Sequence, residues 1–153
     1  MRQDKNTSEI FDSATICFTE FDGFNVVARA CCDPLQCRLQ VFDLLNTMYK
    51  TYDSRIDNID VYKVETNNDT YMVASGLPER NRNRHVVEIA NLCIELMFIN
   101  SRIMNLHNQS LRLKVMIGIH SVPVTAGVVG STMPRYCLFG DTITNELRDK
   151  DAS

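Results

Sequence analysis

A chain of 153 residues, 44% hydrophobic and 23% charged, is long enough to bury one core of ordinary density and lacks the composition of a disordered segment. Its formal net charge of -3, with no Lys/Arg run, leaves no electrostatic footprint for nucleic acid or a membrane surface. No apolar run approaches the ~20 residues that span a bilayer, and the opening MRQDKNTSE is not a signal peptide. A soluble, intracellular domain is expected, standing alone or cut from a larger membrane protein.

Residues 1–10 are polar and read as a frayed N-terminal segment, and Ala14–Phe18 then forms a short apolar run suited to a buried first strand. That strand ends in Thr19-Glu20-Phe21-Asp22-Gly23-Phe24. An acid closing a buried strand before a glycine turn can hold a metal beside phosphate oxygens, although a solvated acid is the commoner use of such a position. Pro34–Tyr52 carries Leu35, Leu39, Phe42, Leu45, Met48, Tyr49 and Tyr52 at the spacing of an amphipathic helix, with Asp33 as N-cap and Pro34 in the first turn. Residues 53–60 form a polar approach to the next unit.

Residues 61–76, VYKVETNNDTYMVASG, read as a β-hairpin turning at Asn67-Asn68-Asp69, because β-branched and aromatic residues recur on both sides and Asn tolerates left-handed backbone. Two acids, Glu65 and Asp69, flank the turn on opposite strands of an otherwise apolar unit. An unpaired carboxylate is costly there, so a purpose for both is expected.

The charged stretch ERNRNR, residues 79–84, introduces a second helix reaching about Leu106, with Val86, Ile89, Ala90, Cys93, Leu96, Met97, Asn100 and Ile103 or Met104 on its apolar side. The three arginines read as a solvated loop rather than a phosphate patch, since the run is short and the protein acidic. Residues 111–119 form a strand broken by His120-Ser121-Val122-Pro123, residues 124–129 another, and MPRYCLFGD, residues 133–141, a short strand between turns. Residues 142–150 can start a helix capped by Asp141.

The six cysteines do not form a secreted disulfide framework: Cys31 and Cys32 are adjacent, and the other four lie in apolar segments without CxxC spacing. Buried free thiols are expected. His85, His107 and His120 are isolated from cysteines at ligand spacing, which argues against zinc. The order of strands and helices predicts an α+β fold, a ferredoxin-like sandwich with helices on one face of a largely antiparallel sheet and the other face free for a ligand or partner.

Four blocks, FTEFDGF, DVYKVETNNDTYMVASGLP, LRLKVMIGIHSVPVTAGVVG and MPRYCLFGDT, together resemble the catalytic domain of the class III nucleotide cyclases, specifically guanylate cyclases of the receptor type. The resemblance runs from about Phe11 to Arg148 and makes residues 11–153 a partial catalytic domain that lacks the last strands of the family fold. It implies conversion of GTP to cyclic GMP and pyrophosphate, with two divalent ions, Mg2+ or Mn2+, held by Glu20, Asp69 and the backbone carbonyl of Phe21. Glu65 and Cys137 fall where guanylate cyclases read guanine and adenylate cyclases typically carry Lys and Asp. An ionised Glu can accept from guanine N1–H and the exocyclic amine, while a Cys can donate weakly to O6. Arg148 and Thr144 fall where the family steadies phosphates and ribose.

The resemblance also implies a partner, because the family's site lies between two such domains, with metal ligands from one and base-reading residues from the other. A monomer is then expected to be inactive, and the domain to lie in the cytoplasm, as the intracellular part of a membrane receptor. Three positions depart from the pattern, one of them Asn68, which stands in the turn where the family usually has Gly. Glu20 replaces an aspartate and is longer by a methylene, and Thr144 stands where the family has Asn, with Asn145 displaced by one residue or about 100° of helix. Two readings therefore stay open: a guanylate cyclase, or a catalytically degenerate cyclase-like subunit that dimerises with and regulates an intact one.

Overall fold

The structure is a computed structural model that describes residues 8–22, 34–67, 70–107, 114–130 and 135–140. Within them the order is β1 (Ser8–Asp22), α1 (Pro34–Ile56), β2 (Tyr62–Asn67), β3 (Thr70–Ser75), α2 (Arg84–His107), β4 (Lys114–Val129) and β5 (Arg135–Phe139). The strands make one sheet in the order β2-β3-β1-β4-β5, and every pairing is antiparallel. β1-α1-β2 and β3-α2-β4 are the two split halves of a ferredoxin-like unit, to which β5 adds an edge. The expected α+β class holds.

Strand alternation divides the core in two. On the helix side, Cys17 and Phe21 of β1 and Tyr71 and Val73 of β3 pack against Leu44, Met48 and Tyr52 of α1 and Ile89, Leu92 and Leu96 of α2. On the helix-free side, Ala14, Ile16, Met72 and Ala74 pack with Phe11, Val124, Ala126 and Leu138. That face is therefore not simply open, as the sequence suggests. The sheet curls until its two edge strands, β2 and β5, touch.

The curl has a local cause. In β1 the register jumps between Phe11, paired with Val124, and Ala14, paired with Val122, so Asp12 and Ser13 together face Pro123. Such a bulge bends its strand and interrupts the ladder. It also explains why β4 runs unbroken for 16 residues through a proline expected to end it. Pro123 has no N–H to donate, and the bulge leaves it nothing to pair with.

Other boundaries move for similar reasons. β1 starts at Ser8, inside the segment expected to fray, because Ser8–Phe11 pairs with residues 124–127 of β4. α1 runs on to Ile56, which is buried. Its packed side is Val41, Leu44, Leu45, Met48, Tyr52 and Ile56, whereas Leu35, Leu39 and Phe42 are exposed. The N-terminal half of the helix carries two apolar stripes, and the sheet takes the other one. On α2, Val86 and Met97 are exposed, while His85 and Leu92 take their places in the core.

The buried polar groups are largely paired. His85 Nδ1 lies 2.7 Å from Thr15 Oγ1, which lies 2.8 Å from Ser121 Oγ. Tyr52 donates to Asn100 Oδ1, and Asn100 Nδ2 is left without a partner among the described residues. Cys17 and Cys93 are free thiols, as expected, and their sulfurs are in contact. That hydrogen bond lowers the Cys93 thiol and, with burial, pushes Cys17 up. Cys31, Cys32 and Asp33 lie outside the described residues.

Candidate functional site at the hairpin end of the sheet

Glu20 stands where β1 leaves the core. Its neighbour Phe21 is buried against α1, with ring centroids 6.0 Å from Tyr49 and 6.5 Å from Tyr52. Because successive residues point to opposite faces, anchoring Phe21 on the helix side sends Glu20 to the helix-free side, where it is half-buried. Glu20 pairs with Thr70 on β3 and with Met116 on β4, and Thr70 pairs in turn with Asn67 on β2. One row thus crosses four strands at this end of the sheet.

Thr70 follows Asp69 in the chain, so the register sets Glu20 beside the residue adjoining the second expected carboxylate. Asp69 itself lies outside the described residues, as do Thr144 and Arg148. Glu65 has its backbone on β2, paired with Met72 after a register shift that follows Lys63. Cys137 is half-buried on β5 and pairs with Gly127 near the far end of β4. β1 and β4 therefore do not bring Cys137 to Glu20, but the curl brings its strand to β2, which carries Glu65.

The hairpin is tied down by residues that no sequence motif marks. Asp53, near the end of α1, accepts from Lys63 Nζ at 2.7 and 2.9 Å and from the Tyr71 hydroxyl at 2.7 Å. Lys63 precedes Glu65 by two residues and Tyr71 follows Asp69 by two, so this cluster fixes both arms of the turn to the helix layer. Burial, with the Asp53 contact second, pushes the Tyr71 hydroxyl up from its ordinary 10.0. Nothing in the spacing of residues 53–60 marks Asp53 for this task. The partners meet only in the folded chain.

The arginine loop is likewise more than solvated. Arg80 pairs with Glu9, donates to the Ile10 carbonyl at 2.8 Å and covers the Phe11 ring at 4.6 Å, while Arg84 pairs with Glu88 at 2.9 Å. A cleft of about 170 Å³ lined by Phe11, Gly76, Arg80, Asn81 and His85 opens beside the β1 bulge. It lies at the opposite end of β1 from Glu20.

Glu20 and the Phe21 carbonyl offer only oxygen donors, the hard set that suits Mg2+ or Mn2+ rather than zinc or copper. Among the described residues, no three His, Cys, Asp or Glu side chains converge as a metal cluster. Asp69 is not among them.

Residues 6–149 match the family model for the adenylate and guanylate cyclase catalytic domain. Guanylate cyclase 2D of Rattus norvegicus is 46% identical over 140 residues, which is 92% of this chain but 12% of that protein. The chain thus spans about an eighth of that relative. The dimeric guanylyl cyclase domain of the RhoGC fusion protein from the aquatic fungus Blastocladiella emersonii superimposes with a TM-score of 0.73 at 26% identity, over 94% of this chain and 75% of that one. The guanylate cyclase domain of RhGC from Catenaria anguillulae, solved in complex with GTP, superimposes with a TM-score of 0.69 at 28% identity, over 88% and 69%. With nearly its whole length inside that family model, the chain belongs to the adenylate and guanylate cyclase catalytic domain family.

Proposed function

We propose that this domain is a guanylate cyclase that converts GTP to cyclic GMP and pyrophosphate as a dimer, in intracellular signalling. The observation that supports this best is the register of Glu20 with Thr70, which sets one carboxylate beside the turn carrying Asp69. Two such domains meet, and each site takes Glu20, Asp69 and the Phe21 carbonyl from one and Glu65 and Cys137 from the other. Glu65 accepts from guanine N1–H and the amine, Cys137 donates to O6, and a nucleobase with the adenine pattern leaves both unsatisfied. Arg148 meets the phosphates and Thr144 the ribose, holding the 3′-oxygen in line with the α-phosphorus so that the P–O bond to pyrophosphate breaks as the new one forms. Bound Mg2+ or Mn2+, two ions per site, supplies Lewis-acid stabilisation of the phosphate charge and a template for that alignment.

GTP and a second cyclase domain are then the partners, and the domain works in the cytoplasm, as the intracellular part of a membrane receptor. No helix among the described residues is long and apolar enough to cross a membrane. The extra methylene of Glu20 favours a second reading, a subunit that regulates an intact cyclase, because reacting groups tolerate little displacement. The purified dimer with manganese and GTP is expected to release cyclic GMP, and Glu20→Asp to raise turnover about tenfold. No product above a metal-free control, from either protein, overturns the enzyme reading; turnover that appears only on co-expression with an active cyclase establishes the regulatory one.

A further inference from the structure

We propose that Cys17 and Cys93 are a reversible oxidation site, at which a peroxide closes a disulfide between β1 and α2. The two sulfurs lie 3.3 Å apart although 76 residues separate them in the chain. A disulfide needs about 2.05 Å, so the sulfurs have only a little over ~1 Å to close. Cys17 is fully buried and Cys93 is 6% exposed, so the more accessible residue of the pair sits on the helix. Both stand on rigid elements facing each other across the helix-side core, with Thr19 Oγ1 at 4.0 Å from the Cys17 sulfur.

The chemistry is a two-step, two-electron oxidation. The Cys93 sulfur attacks hydrogen peroxide, breaking the O–O bond to give a sulfenic acid and water. The Cys17 sulfur, already in contact, then attacks the Cys93 sulfur, forming the S–S bond and expelling a second water. The thiols lose two electrons and two protons, and the peroxide is reduced. A resolving thiol at contact distance favours the disulfide over further oxidation to sulfinic acid. The bond would tie the strand bearing Glu20 to the helix layer, three residues before that carboxylate.

Trypsin reads the outcome directly, because residues 6–29 and 85–102 form separate peptides, each with one cysteine of the pair. The folded full chain, treated with hydrogen peroxide and digested without reductant, is expected to yield these two peptides joined, about 2 Da lighter than their sum, and separated again by dithiothreitol. In Cys17→Ser, peroxide should leave Cys93 as a sulfenic acid that dimedone traps. The proposal is overturned if the folded wild-type chain gives no joined peptide, or gives it only within a statistical mixture of all cysteine pairs. The wild-type map decides even where the variant does not fold.

Discussion

Arg82 holds a φ of 58°, left-handed backbone that costs an L-residue roughly 1–2 kcal/mol and a glycine almost nothing. Against that stands the greater chain entropy a glycine loses on folding, about 0.5–1 kcal/mol. Arg82→Gly is therefore expected to stabilise the domain by about 0.5–1 kcal/mol, seen as a higher urea midpoint with an unchanged slope. Gly76, at φ 91°, marks the contrast: a Cβ there would meet His85 Cβ at 3.2 Å, so its hydrogen is required both by backbone and by packing. At this scale the acid closing β1 and the hairpin acids were legible, because an ionisable group in an apolar run is conspicuous in one dimension. The contacts that anchor the strands carrying them, Asp53 with Lys63 and Tyr71 and Phe21 packed on Tyr49 and Tyr52, were not, because a contact between distant residues leaves no spacing to read.

Among the described residues, both helices and the hairpin strands lie within a few residues of where the sequence puts them, since periodicity and turn chemistry are local; the helix expected over residues 142–150 lies outside the described residues. What periodicity left undecided on α1 was which of two stripes meets the sheet. Leu44 is 1% exposed and Leu39 is 62% exposed, although the spacing puts Leu39 on the packed side. Leu44→Ala should cost about 2–5 kcal/mol in urea unfolding, and Leu39→Ala about 0.5 kcal/mol or less. Equal costs would contradict the observed orientation of the helix. The unbroken β4 is a second case: a proline ends a regular strand, but this one faces a bulge on β1 that lies more than a hundred residues earlier in the chain.

Over the whole molecule, the helix-side core concentrates aromatic hydroxyls. Tyr52 and Tyr71 have ring centroids 5.1 Å apart, and burial raises both above the ordinary 10.0. The folded chain keeps these protons longer than the unfolded chain, so their contribution is fully present below pH 10 and is lost as pH rises beyond it. The thermal midpoint should fall steeply above pH 10, and less steeply in a Tyr52→Phe, Tyr71→Phe variant compared with wild type over the same range.

By itself the sequence determined the element types among the described residues, the hairpin strands, the α+β class and, through four blocks of residues, the family. All of these are written in local pattern or contiguous motif. Only the tertiary structure decided which side of α1 is buried, that β4 passes through Pro123, that β2 and β5 meet by curling of the sheet, and that Cys17 touches Cys93. Each depends on two surfaces distant in the chain fitting one another, and the energy of that fit belongs to the pair rather than to either segment.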